Sequence, residues 1–204
     1  MIVYGVDLYD DGDRVVFNYR RDGLFEPKSI AEWRAALKPG EVAIDVGSYS
    51  GLYAIIAAKA GCTAVAYEPN PTMFSRLRDN VVRNMVSVDC SRYAISDKVE
   101  RREFYTKHDM TSAGRFKPRA GAHCIHVDCR PLTEPRKVCA IKIDVEGAEA
   151  AVLRGAEAVI LRDRPVVICE ALTDAQSDVL TAWMGERGYS YSKADGRNLV
   201  FTHG

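Results

Sequence analysis

Ten residues, Val42-Ala-Ile-Asp-Val-Gly-Ser-Tyr-Ser-Gly51, limit what this chain can fold into more than any other stretch. They read as a short buried strand carrying one acid, then a glycine turn that opens into an apolar helix over residues 52–60. Gly47 allows a positive φ, or a close approach of another group, that a side chain would forbid. Gly51 is expected to let the following helix pack closely on the strand. The free N–H groups at the start of that helix favour an anionic group. Further on, Thr63-Ala-Val-Ala-Tyr67 reads as a second strand and ends in Glu68. An acid on the tip of a neighbouring parallel strand is placed to take both hydroxyls of a ribose.

The glycine spacing separates two nucleoside cofactors. A dinucleotide site asks for G-x-G-x-x-G, in which glycines make room for a pyrophosphate. Here the pattern is Asp45-x-Gly47-x-x-x-Gly51, with a carboxylate where the first glycine would stand. A carboxylate repels a pyrophosphate and attracts an ammonium group, so the stretch points to S-adenosylmethionine. An NAD-dependent oxidoreductase, with Glu68 on the adenosine ribose, is the less favoured alternative. A non-catalytic S-adenosylmethionine-binding module is another.

The surrounding pattern predicts an α/β fold. Residues 1–20 alternate around the turn signal Asp10-Asp-Gly-Asp13 and read as a β-hairpin. A helix over 27–37 follows, stopped by Pro39-Gly40. Helices are expected at 71–84, from about Glu146 and over 173–187. Strands are expected at 86–95, 102–106, 124–129, 138–143 and 165–169. A final antiparallel pair, 189–192 and 199–202, flanks Asp195-Gly196. Strands alternating with helices imply a mostly parallel sheet covered on both faces. The chain is expected to form one domain, with a hairpin and helix over 1–38 and a Rossmann-like core over 39–204. Residues 107–121, with Lys107, His108, Arg115, Lys117 and Arg119, have loop composition and read as a solvated lid or as a greeting for an acidic acceptor.

Four carboxylates close predicted strands: Asp45, Glu68, Asp144 and Glu170. In open α/β sheets ligands sit outside such strand ends, so the four should ring one crevice. Glu146 and Glu149 lie just beyond Asp144; Glu149 is accounted for as an acid at a helix start. Lys142, two residues before Asp144 on the same strand face, could stabilise that carboxylate's charge. Asp144 and Glu146 are the favoured bases for an acceptor's proton, with Glu170 next.

These blocks occur in an order that resembles the FkbM family of S-adenosylmethionine-dependent methyltransferases. The likeness runs over residues 20–172. It rests on Lys38-Pro-Gly-Glu-Val-Ala-Ile-Asp-Val-Gly47, Tyr67-Glu-Pro-Asn-Pro71, Asn80 with Asn84, and Ala94-Ile-Ser-Asp97. Ile141-Lys-Ile-Asp-Val-Glu-Gly-Ala-Glu149, Val152-Leu-Arg-Gly-Ala156 and the run from Pro165 to Glu170 complete it. The resemblance implies the seven-stranded class I methyltransferase fold and O-methylation of a hydroxyl on a sugar, lipid or other small molecule. It places Asp45, Gly47, Ser48, Tyr49 and Gly51 around the methionine tail and Glu68 with Pro69 at the ribose. It also places Ala94 and Ile95 beside the adenine and Asp144 near the reacting methyl.

Other readings carry less. His123-Cys-Ile-His-Val-Asp-Cys129 looks metal-binding on paper, but on a strand Cys124, His126 and Asp128 point away from His123 and Cys129, so no metal is expected. The aspartates at 10, 11 and 13 lack the closing glutamate of a calcium loop. Lysine plus arginine equals aspartate plus glutamate, 28 each, so no global field favours nucleic acid. No apolar run reaches a membrane span, and no secretion signal is visible. Six scattered cysteines without a C-x-x-C pair read as reduced thiols in a cytoplasm.

Overall fold

A computed structural model of the protein describes residues 1–106, 114–118 and 120–204. Its centre is strand β3 (Val42–Val46), every residue of which is buried. A nearly continuous apolar run of this kind suits a strand covered on both faces. β3 pairs in parallel with β4 (Thr63–Tyr67) on one side and with β9 (Val138–Ile143) on the other. β5 (Val88–Ser91) extends the sheet beyond β4, and β10 (Val166–Glu170) extends it beyond β9. The last two strands, β11 (Tyr189–Lys193) and β12 (Asn198–His203), are antiparallel to each other, and β12 sits beside β10. The spatial order is β5-β4-β3-β9-β10-β12-β11, a mixed sheet in which only β12 opposes its neighbours. Chain order reverses between β3 and β9, which makes their carboxyl ends the switch point where such sheets bind ligands.

Both faces are covered. On one side α5 (Glu149–Gly155), α6 (Glu157–Asp163) and α7 (Asp174–Gly185) bring Val152, Ile160 and Leu180 onto Ile44, Ile141 and Val167. On the other, α1 (Arg14–Asp22), α2 (Pro27–Ala36) and α3 (Leu52–Lys59) bring Val16, Trp33 and Ile55 onto Ala43, Ala64 and Ala140. Small residues on this face of the sheet let the helices come close. α4 (Pro71–Arg83) begins where Asn70 accepts from the Thr72 N–H and Pro71 takes the first turn.

Several boundaries differ from the sequence reading. The hairpin is confined to β1 (Ile2–Val3) and β2 (Val6–Asp7), turning at Tyr4-Gly5. The aspartate-rich stretch is instead a helix start: Asp13 accepts from the N–H groups of Val15 and Val16 and caps α1. The strand expected over 86–95 is two strands in separate sheets. β5 stays in the main sheet, while β6 (Ala94–Ile95) joins β8 (His123–Arg130) and β7 (Glu100–Thr106) in a three-stranded sheet of order β6-β8-β7. The helix expected from Glu146 begins at Glu149. Glu146 and Gly147 both have positive φ, and the Glu149 carboxylate accepts from the N–H groups of Val145 and Gly147 to hold that turn. Most of the basic stretch 107–119, namely 107–113 and 119, lies outside the described residues.

Candidate functional site

The carboxyl ends of β3, β4, β9 and β10 open into one crevice of about 380 Å³, within the usual range for small-molecule sites. Asp45, Gly47, Ser48, Tyr49, Glu68, Pro69, Ala94, Ile95, Lys142, Asp144, Glu146 and Glu170 all line it. Gly51 does not. It caps α3 with φ 90°, and a β-carbon there would meet Leu77 Cδ1 at 2.4 Å, so it admits α4 against α3 rather than α3 against the strand. Gly47 has φ 79°, and its missing β-carbon would lie 1.9 Å from the Asp144 carbonyl oxygen. The turn after β3 and the end of β9 therefore touch backbone to backbone, which only glycine permits.

Glu68 is almost fully buried. Its two carboxylate oxygens accept from the N–H groups of Tyr49 and Asn70, each at 2.8 Å. Among the described residues no cation pairs with it, and burial pushes its carboxyl up to about 7 against the pull of those two N–H groups. Asp45 is also buried, accepts from the Ala54 N–H at 3.1 Å and pairs in register with Lys142 on β9. Burial raises its carboxyl to about 7, although the Lys142 charge and the Ala54 N–H pull the other way. Asn80, from one of the motif blocks, donates to the Ser50 carbonyl oxygen and accepts from the Tyr9 N–H, tying the glycine turn to the N-terminal segment.

Lys142 is fully buried. Its ammonium donates to Asn198 Oδ1 at 3.2 Å, lies 3.7 Å from Asp144 Oδ2 and sits 5.3 Å from the centre of the Tyr53 ring. Burial alone would lower its pKa. The charges of Asp144 and then Glu26 outweigh that and raise it, so Lys142 stays an ammonium ion. Asp144 is about a third exposed. Glu146 is held between Arg115 at 3.3 Å and Arg14 at 3.9 Å. Glu170 pairs with Arg197 at 2.9 Å, yet burial and then the Asp144 charge push its carboxyl up.

The sequence reading missed Glu26, Tyr53, Arg197 and Asn198, which complete the walls. Glu26 accepts from the Tyr53 hydroxyl at 2.7 Å. No local motif marks these residues, because the contacts span up to 56 positions. The strand β8 carries outward side chains at Cys124, His126 and Asp128, with Val127 and Cys129 buried. Among the described residues no group of three or more histidine, cysteine or acidic side chains is arranged to hold a metal ion.

Residues 45–191 match the Methyltransferase FkbM domain, well over half the chain and nearly all of the main sheet up to β11. The chain belongs to the FkbM methyltransferase family. A 31-O-demethyl-FK506 methyltransferase FkbM from Streptomyces tacrolimicus is 36% identical over 110 residues, 52% of this chain and 41% of that protein. The match thus spans well under half the length of that relative. Among solved structures, the methyltransferase FkbM from Methylobacillus flagellatus KT aligns over 95% of this chain and 56% of its own, with a TM-score of 0.56 and 16% identity. Magnesium protoporphyrin IX methyltransferase from Synechocystis PCC 6803, solved with bound S-adenosylmethionine, aligns over 98% and 88% with a TM-score of 0.58 and 13% identity. At these identities the structural likenesses establish the α/β fold of this FkbM-family chain.

Proposed function

We propose that this FkbM-family chain is an S-adenosylmethionine-dependent methyltransferase that methylates a hydroxyl of a small molecule, sugar or lipid. The observation that carries the reading is Glu68, a buried carboxylate without a cation among the described residues, beside the Gly47–Tyr49 turn and the apolar edge of Ala94 and Ile95 in one crevice. Its oxygens keep lone pairs beyond the two N–H bonds they accept, which fits a pair of ribose hydroxyls. Asp45 and Asp144, on adjacent strand tips, fit the positive charge of the cofactor's amino-acid tail. Bound there, S-adenosylmethionine would supply an electrophilic methyl group.

The chain's own part is to hold the acceptor hydroxyl in line and to take its proton. Asp144 suits proton removal, since it is partly exposed at the crevice and lies 3.7 Å from the Lys142 ammonium. Glu146, between two arginines, suits it less. The relative named for a 31-O-demethyl substrate supports oxygen as the acceptor atom. We also propose a single domain over 1–204 and a cytoplasmic location; free thiols at all six cysteines support the latter. No helix among the described residues is long and apolar enough to cross a membrane.

Asp144→Asn and Glu146→Gln test the roles, using calorimetry for the cofactor and labelled methyl transfer for turnover. Loss of turnover by about 100-fold in Asp144→Asn with cofactor affinity kept marks a base. Parallel loss of both marks Asp144 as a holder of the cofactor, and wild-type turnover in both variants excludes them as bases.

A further inference from the structure

The glycine turn after β3 is tied to an N-terminal segment that lies outside the matched family domain. α4 packs on the start of α3 through Leu77, which fills the space beside Gly51. Three residues further along the same helix face, Asn80 is fully buried and has two backbone partners of opposite kind. Its Nδ2 donates to the Ser50 carbonyl oxygen at 2.8 Å, and its Oδ1 accepts from the Tyr9 N–H at 2.9 Å. A short amide supplies that donor and that acceptor at once, so the residue type follows from the two backbones it joins. Ser50 lines the crevice and Asn80 does not, so Asn80 acts on a bound ligand only through the turn.

Tyr49 makes a second tie. Its N–H donates to Glu68 Oε2 at 2.8 Å, and its hydroxyl accepts from the Arg14 N–H at 3.3 Å. The buried acid, the glycine turn and the first residue of α1 thus form one hydrogen-bonded chain.

Residues 9–25 run loosely between two firm ends. Val3, Val6 and Leu8 are fully buried before them, and so is Trp33 of α2 after them. Between these anchors α1 buries only Val15 and Val16, while Phe17 and Leu24 are more than half exposed. Asp11 is held by Arg76 of α4. A stretch with so few buried apolar contacts opens locally at small cost while its ends stay in place. Val15, Asn18, Leu24 and Phe25 nevertheless form part of the crevice wall.

We propose that residues 9–25 are a strap over the cofactor crevice, and that Asn80 is the positioning residue that couples its closure to S-adenosylmethionine binding. Cofactor seated on the turn fixes Ser50 and Tyr49, and these fix the Tyr9 and Arg14 N–H groups at the head of the strap. Such coupling is reciprocal, so a closed strap also tightens cofactor binding. This rests on the methyltransferase reading above and goes beyond it, since the coupling residue touches no ligand.

The test uses the full chain, calorimetry with S-adenosylmethionine, and amide hydrogen exchange with and without saturating cofactor. Cofactor should slow exchange across residues 9–25, the Tyr9 and Arg14 N–H groups included, by about tenfold or more. In Asn80→Leu that slowing should fall below about threefold, and the cofactor Kd should rise by about fivefold or more. Asn84→Leu is the control, because Asn84 joins the same helix to Asp7 through two hydrogen bonds and does not reach the turn. It should keep the full slowing, with Kd within about twofold of wild type. If Asn80→Leu fails to fold, Tyr49→Phe serves: it keeps the N–H on Glu68, loses the Arg14 contact, and should raise Kd several-fold with less slowing at Arg14. Exchange over 9–25 unchanged by bound cofactor would overturn the proposal and leave the methyltransferase reading standing. So would full slowing with wild-type affinity in Asn80→Leu, or in Tyr49→Phe where that variant stands in. Equal losses in Asn80→Leu and Asn84→Leu would also overturn it, as a general loosening of α4. Failure to bind S-adenosylmethionine at all would instead remove the methyltransferase reading, and the proposal with it.

Discussion

Gly47→Ala isolates the contact on which the crevice is built. A β-carbon there would lie 1.9 Å from the Asp144 carbonyl oxygen and 2.8 Å from its carbon, both backbone atoms that no rotamer can move. The residue also has φ 79°, which costs an alanine roughly 1–2 kcal/mol. Relieving the overlap by shifting backbone adds about 1–3 kcal/mol. The expected loss is about 2–5 kcal/mol in urea unfolding at unchanged slope. Gly40→Ala is the control: φ is 85°, and nothing lies within 4 Å of its added β-carbon. It should lose only the conformational part, about 1–2 kcal/mol. The gap between the two is the close approach of the β3 turn to the β9 end. Because that approach places Asp144, Gly47→Ala should also weaken cofactor binding, and Gly40→Ala should not. Equal losses in the two variants, within about 0.5 kcal/mol, would refute the reasoning.

Further outcomes follow from single groups. Asp45, raised to about 7 in the folded chain, holds a proton there that the unfolded chain releases near pH 4. Its contribution to stability therefore falls as pH rises from about 4 to 7, by up to about 1.4 kcal/mol per unit. Asp45→Asn removes that slope. From pH 5 to 8 its stability relative to wild type should improve by about 1–3 kcal/mol, read by urea unfolding at both pH values; a constant difference would show that Asp45 does not titrate in this window. Glu149 is fully buried and accepts from Val145, Gly147 and Gln176, so Glu149→Ala should cost about 2–4 kcal/mol in unfolding experiments. A loss below about 0.5 kcal/mol would show that the turn holds itself.

The centre of the fold was legible because its signals are local. The apolar run into Asp45, the glycine turn and the strand closing at Glu68 lie where the sequence reading placed them, and β3, β4, β9 and β10 bring their terminal acids to one crevice. Legibility failed where one signal serves two structures. Aspartates that mark a turn also cap helices, and Asp13 does the latter. Alternation over 86–95 does not reveal that the chain changes sheets after Ser91. Val-Glu-Gly reads as a helix start, yet Glu146 takes a left-handed conformation that only the Glu149 carboxylate and the arginine pair explain. Gly51 shows the same limit, since its partner Leu77 is brought near only by the packing of α4. Glu26, Tyr53 and Asn198, which complete the walls, come from separate elements and meet only in the folded chain.

Calorimetric titration of the purified chain with S-adenosylmethionine, repeated with Glu68→Ala, tests the central claim most directly. Micromolar binding, near −8 kcal/mol, is expected for the wild type, with the variant weaker by about 1–3 kcal/mol as the charge-assisted bonds to the ribose are lost. Equal affinity in the two proteins would contradict the assignment of Glu68, and tight binding of NADH with none of S-adenosylmethionine would contradict the cofactor itself.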